Sequence, residues 1–202
     1  MKYFDAHFFA EVFVTLLVIM DPLGNVPLFL GLTANRSRSA RSRLAGQAVL
    51  VAGSVIAAFA LFGQQLLGLL GISVPALEAS GGLLLLLVAL ELLTGRDSAP
   101  TQIDEVNVAL VPLGTPLIAG PGAIAATIVF VRQAHGLRDA DAIAAALVLV
   151  LLILYASLRF SSLILRIVRE GGIHLLTRIF GLLLSAIAVQ LVAEGIRGFV
   201  RA

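Results

Sequence analysis

Apolar residues fall in six long runs, at 8–33, 44–70, 76–94, 106–131, 141–164 and 174–198, separated by short polar connections. A membrane-crossing helix needs about 20 mainly apolar residues, and each run meets that length. Runs 2, 3, 5 and 6 are nearly continuous Leu, Val, Ile, Ala and Gly. Runs 1 and 4 are different: each is interrupted near its middle by Pro and Gly. The pattern therefore predicts an all-α membrane protein with six transmembrane helices, of which helices 1 and 4 are discontinuous. The connections at 34–43, 95–105 and 165–173 are too short for a separate soluble domain.

The interruptions recur in order. Asp21-Pro22-Leu23-Gly24-Asn25-Val26-Pro27-Leu28 in run 1 resembles Val111-Pro112-Leu113-Gly114-Thr115-Pro116-Leu117 in run 4. Runs 3 and 6 agree as well, with Gly82 nine residues before Glu91 and Gly181 nine residues before Gln190. The chain thus reads as one transmembrane domain, 1–202, built of two halves, 1–96 and 104–202. Three spans per half make the second half enter from the opposite face, so the repeats are inverted.

Composition agrees with a lipid environment. The chain is 59% hydrophobic and 13% charged, against about 45–50% and 25% for soluble domains. The net charge of +2 carries no nucleic-acid meaning, because 13 of the 14 basic residues are arginines scattered near run ends. Counting them by side puts nine, led by Arg36, Arg38, Arg41 and Arg43, against five. The positive-inside rule then places the first set in the cytoplasm and both termini on the other side. The first run leads into Asp21-Pro22 without a small-residue cleavage site, so it is expected to be a span and not a signal peptide.

Candidate chemistry lies at the interruptions. Pro removes a helix hydrogen bond and Gly loosens the chain, and open peptide groups survive at membrane depth only against protein or a wet cavity. Five of the seven prolines fall in the two patches. Plain kinking for close helix packing is the alternative. As interrupted helices, they present N–H groups suited to a carboxylate and carbonyls suited to an ammonium group, Na⁺ or H⁺. Pro121 suits the first position of the second half of run 4. Asp21, Gly24, Asn25, Gly114, Thr115, Gly120 and Gly122 are the candidate substrate-binding residues. Asp21, as ion ligand, proton carrier, ammonium anchor or helix cap, joins Glu91 and Gln190 as candidates for coupling. Glu11, Glu78 and Glu194 lie near run ends and read as solvated or helix-terminal. His7, His135 and His174 lie near interfaces and none is spaced with a carboxylate as a metal pair, so no metal site is expected. No cysteine, no His-Glu-x-x-His and no paired intramembrane aspartates are present, which argues against an enzyme.

At these residues the sequence resembles the MarC family of bacterial inner-membrane proteins, also described as six-span neutral amino acid transporters. The matching elements are Pro22 to Pro27, Gly71-Ile72-Ser73, Gly81-Gly82, Val111 to Ile124, Gly171-Gly172-Ile173, and Arg178-Ile179 with Gly181 to Leu183 and Val189-Gln190. The resemblance implies inverted repeats in a bacterial inner membrane. It also implies transport of small neutral amino acids such as glycine or alanine, coupled to H⁺ or Na⁺. One departure is Pro75-Ala76-Leu77-Glu78, where the family often carries an Arg. The expected partners are a small amino acid and membrane lipid, with no nucleic acid and no cofactor beyond a coupling ion; a homo-oligomer is an allowed assembly. A channel or an exporter of another small solute is the competing function, and a membrane scaffold a further one.

Overall fold

Where each helix starts and stops follows from local residue chemistry. The computed structural model describes residues 6–94 and 119–201. Helix α1 (Ala6–Met20) stops at Asp21, and α2 (Asn25–Leu32) resumes after a turn, bent by 42°. The predicted discontinuity of the first span is therefore present. Ser37 caps α3 (Arg38–Leu70) by accepting a hydrogen bond from Ala40 N at 3.3 Å. That helix ends on Gly71, whose φ of 67° is the left-handed conformation glycine adopts without steric cost. Helix α4 (Val74–Thr94) begins after Ser73, whose hydroxyl accepts from Ala76 N. Helix α5 (Pro121–Gln133) starts with a proline, where no backbone N–H is needed.

Helix α6 (Leu137–Arg159) begins four residues before the apolar run at 141–164 and ends five residues before it does. The early start follows from Asp139, whose carboxylate accepts from His135 N at 2.7 Å. The early stop is a turn at Phe160. Helix α7 (Ser161–Arg201) then follows, broken at Arg169, where φ is 58°. Its membrane-length portion is Gly171–Val200.

Among the described residues four helices are long and apolar enough to cross a membrane, and the bent α1–α2 pair makes a fifth if taken as one span. Large apolar side chains face outward, including Leu50, Leu61, Phe62, Leu152 and Leu182. A soluble surface would not carry so much exposed hydrocarbon. The first part of the fourth predicted span, with Gly114 and Thr115, lies outside the described residues.

Two seams organise the interior. In the first, α4 runs along α7. A Cβ on Gly82 would sit 2.7 Å from both Ala188 O and Val192 Cγ2. A Cβ on Gly181 would sit 3.2 Å from both Ala89 O and Leu93 Cγ. Glycine is required for this approach of backbone to backbone. The two contacts are one contact with its partners exchanged, since each residue stands 99 positions from its counterpart. The small core here repeats the relation: Leu85 with Leu184, Ala89 with Ala188, and at its edge Val88 with Ile187 and Leu92 with Leu191.

The second seam joins α3 and α6 within the larger core. Ala45, Ala48, Ala52 and Ile56 are buried on α3, and Ile143, Ala146, Val150 and Leu154 on α6. Each stands 98 positions from its counterpart. Gly53 and Leu151, also 98 apart, face each other directly. Helices α1 and α5 pass between the two seams.

Candidate functional site

The turn between α1 and α2 is built from two side chains. Asp21 has φ of 34°, in the left-handed region that Asp and Asn tolerate better than other side chains. One oxygen of its carboxylate accepts from Gly24 N at 3.0 Å. The negative group thereby meets the positive end of α2. Asn25 works in the other direction. Its amide nitrogen donates to Met20 O at 2.8 Å and Asp21 O at 3.0 Å, closing the carbonyl end of α1. Both side chains are buried, at 5% and 6% exposure.

This arrangement revises one expectation and keeps another. The N–H and carbonyl groups opened by the break are largely taken up by the chain's own Asp21 and Asn25, so Asp21 does act as a cap. Two oxygens at the turn remain without a hydrogen bond among the described residues: Asn25 Oδ1 and Thr177 Oγ1. A Cβ on Gly24 would collide with the Asp21 carboxylate and would lie 3.2 Å from Thr177 Oγ1. Gly24 therefore holds Asp21 and α7 close together. An unbonded buried oxygen costs about 1–3 kcal/mol, so the turn is prepared for a hydrogen-bond donor.

The second interruption has a different chemistry. Gly120 has an extended backbone (φ −60°, ψ 163°), and its carbonyl accepts from Ala123 N and Ile124 N. Gly120, the residue that precedes the first turn of this helix, has no side chain with which to cap it. A Cβ on Gly122 would collide with the Leu85 side chain and lie 3.7 Å from Ile19. Helix α5 thus starts as bare backbone wedged between α1 and α4. The spacing of 99 found in the α4–α7 seam also separates Asp21-Pro22 from Gly120-Pro121. The sequence comparison instead pairs Pro22–Gly24 with Pro112–Gly114, outside the described residues.

Farther along the same helices, α1, α5 and α7 form a cleft of about 180 Å³. Glu11, Thr15, Gln133, Gln190 and Glu194 supply its polar lining, and Phe130 and Ile187 part of its apolar wall. Gln190 donates to Glu194 Oε1 at 3.0 Å along its own helix. Glu91, its counterpart on α4, is exposed and does not line this cleft. The structure thus brings Gln190 together with Glu11 and Glu194, two residues the sequence reading set aside. The opposite end of α4 carries a shallow hollow past Thr94, Gly171, His174 and Arg178.

Thr15, Gln133 and Thr177 also escape a sequence reading. Each lies in or beside an apolar run, and only helix packing brings Thr15 and Gln133 to the cleft and Thr177 to the α1–α2 turn. No group of three or more His, Asp or Glu able to hold a metal exists among the described residues.

Comparison with known proteins fits this architecture. Residues 6–200 match the description "MarC family integral membrane protein". The UPF0056 membrane protein MJ1677 of Methanocaldococcus jannaschii is 38% identical, over 96% of this chain and 98% of its own. The UPF0056 membrane protein YhcE of Escherichia coli is 29% identical, over 97% and 95%. The UPF0056 membrane protein YvbG of Bacillus subtilis is 28% identical, over 95% of each. No solved structure matches. An interrupted first helix, apolar spans and near full-length similarity converge: this chain belongs to the MarC family of integral membrane proteins.

Proposed function

We propose that the protein is a secondary transporter of small neutral amino acids, glycine or alanine in size, driven by an H⁺ or Na⁺ gradient. The observation that carries this reading is the turn at Asp21–Asn25, where two unbonded oxygens lie with a buried carboxylate. A solute bearing an ammonium group would donate to those oxygens. Its carboxylate would find the N–H groups at the start of α5, where Gly120 has no side chain to cap them. The separate cleft between α1, α5 and α7, about 180 Å³, has room for a solute of few heavy atoms on its way to the turn. Asp21, Gly24, Asn25, Gly120 and Gly122 are the proposed binding residues. Gly114 and Thr115 keep that role from the sequence alone, and Glu91 and Gln190 remain coupling residues.

The six-span inverted repeat belongs to the same proposal. The constant spacing of 99 in one seam and 98 in the other supports it. So does the set of neighbours: exchanging α4 with α7, α3 with α6, and α1–α2 with α5 turns the principal packed pairs into one another. The arginine distribution supports a cell-membrane location with both termini outside the cytoplasm.

The test is uptake of labelled glycine or alanine by proteoliposomes. Saturable flux that responds to an imposed H⁺ or Na⁺ gradient is the expected result. An absence of flux under either gradient would sink the reading. A channel for another small solute is the second reading, favoured by the polar cleft; flux that does not saturate would select it.

A further inference from the structure

Helices α4 and α7 run antiparallel, since Gly195 lies against Pro75 and Ala79, and Gly181 against Ala89 and Leu92. The Thr94 end of α4 is therefore level with the start of the membrane-length part of α7. Helix α4 has 21 residues, the length that crosses the hydrocarbon of a bilayer, so Thr94 stands at the depth of the lipid headgroups. There the two helices border a hollow of about 480 Å³, lined by Thr94, Gly171, His174, Leu175 and Arg178. It begins just past the break at Arg169, and a Cβ on Gly171 would meet nothing within 4 Å. Thr94 donates to Leu90 O on its own helix. The side-chain donors left to the hollow are the Arg178 guanidinium and the His174 ring, both exposed.

Beneath the hollow the surface is hydrocarbon. On α7, Leu175, Ile179 and Leu182 share the helix face of Arg178 and are 61%, 46% and 62% exposed. On α4, Leu87 and Leu90 share the face of Thr94 and are exposed as well. A free anion would use the arginine and leave this apolar face unused. A phosphate with acyl chains below it uses both, and basic hollows between membrane helices are the kind of site that takes such headgroups. The arginine distribution puts this end of both helices in the cytoplasmic leaflet, where anionic lipids concentrate. We infer that the hollow is a binding site for an anionic phospholipid. Arg178 and His174 hold the phosphate, and the acyl chains lie along the exposed leucines and Ile179. The site stands independently of what the protein transports. Arg178 adjoins Thr177, whose hydroxyl faces Gly24, so the lipid steadies the turn of α7 that covers the α1–α2 break.

The probe is phosphatidylglycerol. The full chain is released from nanodiscs of mixed phosphatidylcholine and phosphatidylglycerol, and the lipid it retains is counted by native mass spectrometry. Phosphatidylglycerol is expected to be retained in preference to phosphatidylcholine. Arg178→Gln should weaken that retention about fivefold, as loss of one basic contact with an anionic lipid does. Arg178→Lys should restore most of it. His174→Gln should weaken it in the same direction, and it carries the test if Arg178→Gln folds poorly. Arg38→Gln removes a charge from the same leaflet outside the hollow and should leave retention unchanged. An equal loss with Arg38→Gln would reduce the binding to diffuse attraction and overturn the site, as would full retention in both hollow variants. Excess inorganic phosphate is expected to leave the lipid in place; displacement by phosphate would make the hollow a phosphate site and overturn the lipid assignment. Thermal unfolding gives an independent reading. Added phosphatidylglycerol should raise the midpoint of the unsubstituted protein and not that of Arg178→Gln. An equal rise in both would overturn the inference.

Discussion

The two interruptions meet the same physical problem with different parts. At the α1–α2 turn, side chains do the work: Asp21 holds the start of α2, and Asn25 holds the end of α1. At the start of α5 the described residues offer backbone, with Gly120 extended, Pro121 needing no donor and Gly122 pressed against Leu85. One break is sealed by charge and amide groups, the other by close fit. The difference teaches where each is vulnerable. A polar deletion should injure the first and an added side chain the second.

That contrast can be broken in four places. The largest effect is expected from Gly122→Leu, which forces Leu85 and Ile19 apart and should cost about 3 kcal/mol, as overpacking does. Unfolding in a denaturing detergent measures it, and a loss below about 1 kcal/mol would show that α5 is not held by fit. Next comes Asn25→Leu. It removes the donor to the buried Met20 and Asp21 carbonyls, and a loss of about 2 kcal/mol is expected by the same titration. Asp21 separates structure from charge. Asp21→Ala loses the bond to Gly24 N and should cost about 1 kcal/mol. Asp21→Asn keeps an acceptor there, so its stability should stay within about 0.5 kcal/mol while ion-driven glycine flux falls. Unchanged flux with Asn would strip Asp21 of any part in coupling. The smallest effect belongs to Thr177→Val. The hydroxyl has no bond to lose among the described residues, so stability should change by less than about 0.5 kcal/mol. A weaker apparent affinity for glycine in flux assays would then mark Thr177 as a ligand-binding group.

Much of the fold is legible in the sequence because lipid imposes one requirement on every span. Long apolar runs locate α4 and the membrane-length part of α7 within a few residues, α3 begins six residues before its run, and Pro22 with Gly24 marks the bend after α1. The edges of α6 are less legible, since an aspartate at 139 and a turn at 160 outweigh the limits of the apolar run. The 99-residue spacing of the α4–α7 seam is legible at Gly82 and Gly181, whereas pairing Pro22 with Pro112 follows a local match that this spacing does not share. The cleft is the least legible part. Glu11, Thr15, Gln133 and Glu194 belong to three helices, and nothing in their local sequence states that α1, α5 and α7 converge. Glu11 and Glu194 look terminal on their own helices and become a lining only through packing.

The seam between α4 and α7 has a mechanical consequence. Gly82 lies against the Ala188 carbonyl, and Gly195 against Pro75 O and Ala79 N at 2.7 Å for an added Cβ. A joint of bare main chain resists being pulled apart, but it presents few projecting side chains to lock its position lengthwise. The two helices are thus mated like a runner on its rail, able to glide along each other while staying in touch.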